Sequence, residues 1–114
     1  MSVVTDGSDM RQRADWMSYP ADDTILELLR DYGNLTPSAI ESLGGPSKSW
    51  AQNRLPVLAR YGMVGRIHRG LYYISTLGVG YLDEHVDATE LSERDEPLGP
   101  EDRPEFVYVT DNDE

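Results

Sequence analysis

The 114-residue sequence contains no cysteine, which excludes disulfides, thiol catalysis and cysteine-ligated zinc or iron–sulfur sites. It also lacks long apolar runs, because the longest extend over four residues, whereas a membrane-spanning helix needs roughly 20. The N-terminus opens polar and acidic, so it predicts no signal peptide. We therefore expect a soluble cytoplasmic protein with one small domain and extensions.

Lysine is nearly absent: the chain has one lysine and nine arginines, against 21 acidic residues, and its formal net charge is −11. A surface rich in carboxylates and poor in lysine is what we expect of a protein kept soluble in concentrated salt. The composition therefore predicts a halophilic source. In such a cytoplasm counterion release contributes little to nucleic-acid binding, since affinity falls steeply with salt.

Acidic residues are missing altogether from residues 42–82. That stretch carries five bases, Lys48, Arg54, Arg60, Arg66 and Arg69, whereas residues 1–41 and 83–114 both carry a net negative charge. This segregation predicts a surface for a polyanion. The alternative is that the stretch holds a buried hairpin, in which acids would be costly.

Apolar residues at helical spacing predict three helices in the first half of the chain. The first covers residues 22–32, with Asp22 and Asp23 favourably placed near the positive end of its dipole. Thr36 caps the second, and the third runs from Ser47 to an exit at Gly62. Inside the third helix a proline, residue 56, indicates either a kink or an earlier end.

After Gly62 the pattern changes to two β-prone runs that flank Arg69-Gly70, which predicts a tight hairpin. Ser75 or Thr76 then caps a fourth helix. Its interior glycines, Gly78 and Gly80, leave two interpretations open. Either another helix backbone approaches there, within the domain or across a dimer interface, or the glycines pack against the chain's own hairpin.

The order of helix, helix, short turn, helix and hairpin predicts a mainly α fold with a small β-hairpin (α+β), the winged helix-turn-helix. We place a flexible N-terminal arm at residues 1–15, the domain with its C-terminal fourth helix at 16–91, and an acidic, largely disordered tail at 92–114. The tail contains a short β-prone run, Phe106–Val109, for which docking to a partner is one interpretation and no function the other.

The basic stretch coincides with the third helix and the hairpin, so we predict that these elements bind DNA. Polar side chains on the helix suit base edges and phosphates, and cations near the hairpin turn suit a wing that touches the backbone. The predicted DNA-binding residues are Lys48, Ser49, Trp50, Gln52, Asn53, Arg54, Arg66, His68 and Arg69. For Trp50 a place in the core, and for Arg54 an ion pair with an acid of the first helix, remain alternatives.

Nothing in the sequence predicts catalysis, a cofactor or a metal site. No acid lies in the basic stretch, the two histidines, His68 and His85, are far apart, and no glycine-rich phosphate loop follows a strand. An enzyme is therefore the least favoured class.

A set of short motifs in the chain also resembles the motifs of a known protein family. The motifs are Trp16-Met17, Asp22-Asp23, Ile25–Leu29, Leu35-Thr36-Pro37, Arg54-Leu55 with Leu58-Ala59, Tyr61-Gly62 with Val64, and Gly70-x-Tyr72-x-Ile74-Ser75-x-x-Gly78-x-x-Tyr81-Leu82. Over residues 16–91 the chain resembles the haloarchaeal phage PhiH1 repressor-like winged-helix proteins. The resemblance implies a dimeric DNA-binding transcriptional regulator that reads DNA with the third helix; Pro56 departs from the polar residue usual there.

Two functions from different classes follow. The first is a sequence-specific regulator of double-stranded DNA, a repressor and a homodimer. The second is a winged-helix module for protein–protein interaction that docks through the acidic tail and has no salt-dependent affinity for a duplex. A related hypothesis makes the tail a DNA mimic that covers the basic surface.

Overall fold

The computed structural model describes residues 10–104 of the chain. Within this range it contains, in chain order, α1 (Ala21–Tyr32), α2 (Pro37–Ser42), α3 (Lys48–Arg60), β1 (Val64–His68), β2 (Leu71–Ile74) and α4 (Thr76–Leu82). Two short 3-10 turns follow at Ala88–Glu90 and Pro100–Asp102. The predicted class, a mainly α fold with a two-stranded wing, is confirmed.

Three helices begin at hydroxyl side chains that satisfy otherwise free amide groups. The hydroxyl of Thr36 accepts a hydrogen bond from the N–H of Ala39, and that of Ser47 accepts one from Trp50 at the start of α3. Ser75 does the same for Gly78 at the start of α4, so Ser75 and not Thr76 is the cap. These caps are the local signals that divide a short chain into separate helices.

The hairpin pairs β1 with β2 in antiparallel register around the turn at Arg69-Gly70. Gly70 has φ +75°, a conformation that glycine adopts without steric cost. On the outer side of β2, Leu35 and Tyr72 exchange two backbone hydrogen bonds of 3.0 Å. The hairpin is thereby fixed to the segment that connects α1 and α2.

The hydrophobic core lies between α1, α3, α4 and one face of the hairpin. The fully buried side chains of these elements, of α2 and of the turn before β1 include Ile25, Leu26, Leu29, Ile40, Ala51, Leu55, Leu58, Met63, Val64, Ile74 and Tyr81. Because α3 buries only its apolar face, its opposite face is left to solvent. The core thus fixes which side chains of α3 can meet a partner.

Two acids of the first turn of α1 are buried, which the sequence pattern did not predict. Asp22 is fully buried and accepts hydrogen bonds from both Nε and Nη2 of Arg54, each at 2.9 Å, and from the backbone N–H of Ser18 at 3.0 Å. Arg54 also donates to the carbonyl of Trp16 at 2.8 Å. This bidentate pair ties α3 to α1 and to the segment before it.

Asp23, 3% exposed, forms a second buried centre beside the first. It accepts hydrogen bonds from the Tyr81 hydroxyl at 2.8 Å and from Arg11 and Arg13 at 3.2 Å each. Arg11 also pairs with Glu27 at 2.7 Å and donates to the Leu82 carbonyl. The two carboxylates therefore connect α1 with α3, α4 and the N-terminal segment.

The structure places the end of the predicted N-terminal arm against the domain. Besides the arginine contacts, Gln12 pairs with the segment after α4, accepting a hydrogen bond of 2.9 Å from the N–H of Ala88. A flexible segment through residue 15 was predicted because the arm has no apolar periodicity. Its attachment uses ion pairs and backbone hydrogen bonds, which leave no such pattern.

Residues 93–104, which we call the edge segment, lie along the outer side of β1, although the sequence predicts disorder there. The N–H of Arg94 donates to the carbonyl of Arg60 at 2.7 Å, and that of Arg66 donates to the carbonyl of Leu98 at 2.9 Å. Gly65 and Leu98 form a parallel bridge. The edge segment thus adds one isolated bridge to the outer side of β1; residues 105–114, with Phe106–Val109, lie outside the described residues.

The glycines of α4 pack within the chain. A side chain at Gly78 would meet the backbone carbonyl of Met63 and the side chain of Ile74, and one at Gly80 would meet Val86. Gly78 therefore packs against the chain's own hairpin, and neither glycine supplies evidence for a dimer interface. In the described part of the chain, no helix has the length and apolarity needed to span a bilayer.

The Asp22–Arg54 pair predicts a large stability cost when one partner is lost. Replacing Arg54 by Met leaves a buried carboxylate without its counter-ion, and we expect unfolding to become easier by about 3–5 kcal/mol. Urea denaturation in KCl measures this. Arg60→Met removes an exposed guanidinium and, as the matched control, should change stability by less than about 0.5 kcal/mol. A loss for Arg54→Met as small as that of the control would contradict the assignment.

Two buried tyrosines predict alkaline sensitivity. Burial raises the pKa of Tyr73 to about 12, with further repulsion from Asp102 and Glu101, and burial with a hydrogen bond to Asp23 raises the pKa of Tyr81 further. Unfolded tyrosine has a pKa of about 10. The native chain therefore keeps protons that the unfolded chain releases, so stability is level below about pH 10 and falls from there towards pH 12.

Urea unfolding at a series of pH values from 9 to 11.5 tests this expectation. The Tyr73→Phe variant has one fewer proton to retain, so its stability should fall less steeply with pH than that of the wild type. Equal slopes for the two proteins would show that Tyr73 does not hold its proton in the native state.

Candidate nucleic-acid interface

The outer face of α3 presents a row of polar side chains to solvent. Lys48, Ser49, Gln52 and Asn53 are all exposed, because Ala51, Leu55, Leu58 and Ala59 occupy the buried face. This orientation is the one that the helical spacing predicts. The row combines amide, hydroxyl and ammonium groups, which can pair with base edges and phosphates.

Trp50 extends this row with an aromatic surface. Its side chain is 41% exposed, and the guanidinium carbon of Arg54 lies 5.8 Å from the ring centroid. The structure therefore places Trp50 outside the core, unlike Trp16, whose ring stacks on Tyr61 with centroids 3.8 Å apart. An exposed indole at this position is free to contact a sugar or a thymine methyl group.

Arg54 is oriented differently from the other predicted contacts. Its side chain is 13% exposed and is held by Asp22, whose hydrogen bonds raise the pKa of the guanidinium despite the opposing effect of burial. Of the two roles open from the sequence, the structure shows the ion pair with α1. The prediction of Arg54 as a phosphate contact is therefore corrected. Arg54 instead holds α3 in place from the side of the helix that faces α1.

One carboxylate lies at the beginning of α3. The side chain of Glu41, from α2, accepts a hydrogen bond from the backbone N–H of Lys48 at 3.1 Å. Counting charges along the chain overlooks this acid because it directly precedes the acid-free stretch. It satisfies a free amide of the first turn and joins the two helices of the helix-turn-helix.

The wing carries the remaining predicted contact residues near its turn. Arg66, His68 and Arg69 are all exposed, and the pairing of β1 with β2 is irregular between Arg66 and His68. The turn itself contains Arg69 and projects beyond the last paired residues. The wing thus presents its positive side chains to solvent.

A cavity of about 250 Å³ separates α3 from the wing. Arg60 of α3, Arg66 of β1 and Arg94 of the edge segment line it, together with Asp95. Within residues 10–104, Lys48, Arg60, Arg66 and Arg69 have no carboxylate within salt-bridge distance of 4.0 Å. Four of the five bases of the acid-free stretch are therefore available to an anionic partner, and Arg60 was not among the predicted contacts.

Pro56 lies inside α3 without ending it. The helix continues through this proline to Arg60, so the alternative of an earlier end does not hold. Pro56 is exposed and lines the cavity between α3 and the wing. The row of polar side chains precedes it on the N-terminal half of the helix.

No group of three or more histidine, aspartate or glutamate side chains in residues 10–104 is arranged to hold a metal ion. His68 lies on the wing and His85 follows α4. The chemistry that the described site offers is hydrogen bonding and positive charge.

A short α2–α3 unit, an exposed polar face on α3 and a two-stranded wing define the winged helix-turn-helix class. The family model described as winged helix-turn-helix phage repressor matches residues 10–94, and the chain belongs to this family. No curated protein matches the chain.

A solved structure supports the same assignment. The crystal structure of the PhiH1 repressor-like protein from Haloarcula marismortui matches with a TM-score of 0.67 and 32% sequence identity, covering 74% of this chain and 97% of that chain. The resemblance to PhiH1 repressor-like proteins is confirmed. The family indicates a DNA-binding regulator, a non-enzymatic class of protein.

The two tryptophans allow the exposure of α3 to be checked in solution. In the Trp16→Phe variant all indole fluorescence comes from Trp50, which we expect acrylamide to quench efficiently. In the Trp50→Phe variant the stacked Trp16 should be quenched less. Fluorescence quenching titrations measure the difference, and equal quenching of both variants would contradict the exposed position of Trp50.

Proposed function

We propose that the protein is a sequence-specific regulator of double-stranded DNA, a repressor that reads the major groove with α3 and contacts the backbone or minor groove with the wing. The observation that carries this proposal is the polar, exposed face of α3, beside cations that have no carboxylate partner in residues 10–104. Repression needs no catalysis, since occupying a promoter or operator excludes other proteins from it.

The side chains of α3 suggest distinct roles. Gln52 and Asn53 can each form two hydrogen bonds with adenine, and Lys48 can meet guanine or a phosphate. Ser49 can bind either a base or a phosphate, and Trp50 offers apolar contact to thymine or a sugar. We therefore assign base recognition to the N-terminal half of α3.

The wing suits the DNA backbone. Arg66, His68 and Arg69 are exposed on a two-stranded ribbon, and arginine forms bidentate pairs with phosphate. Contacts of this kind hold the protein in register without reading sequence. We assign the wing a positioning role in the complex.

We further propose a cytoplasmic homodimer that works in a salt-rich cell. One α3 spans only a short DNA site, and two copies related by a twofold axis would read two half-sites. The structural neighbour's source, Haloarcula marismortui, agrees with the halophilic origin that the composition predicts and with the archaeal one that the resemblance implies. Since high salt weakens phosphate contacts, base contacts must carry more of the affinity.

Replacement of Gln52 and Asn53 by alanine together tests the proposal. We expect the double variant to bind its own upstream DNA at least about tenfold more weakly, because each bidentate pair contributes about 1–3 kcal/mol of discrimination. Binding to a scrambled duplex should change little. Fluorescence anisotropy with both duplexes, over a range of KCl concentrations, measures the two affinities.

Lys48→Gln serves as the comparison variant, because Lys48 is exposed on the same helix. If it contacts a phosphate, it should weaken binding to both duplexes equally and lower the salt slope by about 1. Unchanged sequence preference in the Gln52/Asn53 variant would contradict the assignment of α3. A protein-interaction module, the alternative, would bind neither duplex.

A further inference from the structure

We propose that the edge segment, residues 93–104, is an autoinhibitory segment that lies beside Arg60 and Arg66 and competes with DNA phosphates for access to them. This inference rests on the proposed function, since it describes how the DNA-binding surface is regulated. It adds Arg60 to that surface and assigns a role to a part of the chain that extends beyond residue 94, where the family match ends.

The edge segment is attached to the wing by backbone groups. Arg94 is fixed to the end of α3 through the Arg60 carbonyl, and the N–H of Arg66 is bonded to Leu98. The outward-facing amide of β1 is thereby occupied. A free strand edge beside exposed cations would otherwise be open to a phosphate oxygen or to another strand.

A buried tyrosine provides the principal side-chain attachment. The hydroxyl of Tyr73, from β2, donates a hydrogen bond of 2.6 Å to the carbonyl of Gly99. The Tyr73 ring contacts Gly65 of β1 so closely that any side chain at position 65 would overlap it. Because Gly65 of β1 has no side chain, the Tyr73 ring of β2 can reach across β1 to the edge segment.

The edge segment brings negative charge to the cationic surface. It contains five acids, Glu93, Asp95, Glu96, Glu101 and Asp102, against two arginines. Asp95 lines the cavity together with Arg60 and Arg66, whereas the uncharged residues 97–99 border a second cavity with Arg66, His68 and Arg69. A duplex approaching Arg60 and Arg66 meets the Asp95 carboxylate, which repels it, so docking of this segment disfavours DNA binding.

The attachment of the edge segment is also limited in strength, which competition with DNA requires. Asp95 forms no salt bridge with the described arginines that share its cavity, and residues 92–97 are exposed along their length. The segment is held by a few hydrogen bonds at its ends and centre, so a polyanion that pairs with Arg60 and Arg66 can displace it.

Charge neutralisation in the full-length protein tests the inference. Asp95→Asn with Glu96→Gln preserves size and removes two negative charges. At 0.1 M KCl we expect this variant to bind a random-sequence 30-base-pair duplex about three to ten times more tightly than the wild type, and the gain to shrink in 2 M KCl because screening is then nearly complete. Fluorescence anisotropy measures both affinities.

The matched control is Glu84→Gln with Glu90→Gln, which changes the net charge equally at exposed positions after α4, away from both cavities. Its affinity should stay within about twofold of the wild type, as expected for charges remote from the contact. If wild type and the Asp95/Glu96 variant bind equally, the inference is wrong while the proposed function stands. If none of the proteins binds a duplex, both are wrong.

Tyr73→Phe gives a second, independent measurement because it weakens attachment without altering charge. We expect the amides of Arg66 and Arg94 to exchange hydrogen faster in this variant. Its duplex affinity should rise by up to about fivefold, because fewer molecules then have the edge segment docked against the wing. Faster exchange with unchanged affinity would overturn the competition between the edge segment and DNA.

Discussion

The buried carboxylate of Asp22 is the constraint on which the placement of α3 depends. Two guanidinium hydrogen bonds from Arg54 and a backbone amide surround it, and Arg54 in turn holds the carbonyl of Trp16. A carboxylate in this position is costly without its partner. The pair therefore fixes the rotation of α3 about its own axis, and with it the face that carries Gln52 and Asn53.

Positive charge in this protein is divided between structure and recognition. Arg11, Arg13 and Arg54 neutralise acids inside or beside the core, whereas Lys48, Arg60, Arg66 and Arg69 stay at the surface. A net charge alone conceals this division. A strongly acidic chain can therefore present a local cationic surface, because residues 42–82 contain no acid and four of their five bases stay at the surface.

The sequence predicts the elements well where the signal is periodic or local. The helices of residues 21–60 and the hairpin follow from apolar spacing, hydroxyl caps and Arg69-Gly70, and the exposed row on α3 follows from the same spacing. The burial of Asp22 could not be predicted, because an acid in a first helical turn has a sufficient explanation in the helix dipole. Which acid Arg54 meets depends on tertiary packing.

The edge segment escaped prediction for a different reason. Prolines, glycine and dense charge are typical of disorder, whereas its attachment relies on backbone hydrogen bonds and one tyrosine hydroxyl from β2. The remaining trace in the sequence is the pairing of Gly65 with Tyr73, a large ring opposite a missing side chain. That combination indicates that the Tyr73 ring crosses β1, but it does not predict which segment of the chain the ring meets on the other side.

Both outer sides of the hairpin are occupied within residues 10–104: Leu35 covers β2, and Leu98 covers β1. Exposed strand edges are the usual route by which β-proteins join into extended aggregates. Here each edge is partly occupied by a bridge from the same chain, which hinders lateral growth from one molecule to the next. Occupied positions at both edges therefore work against fibrous assembly of copies crowded together in the cell.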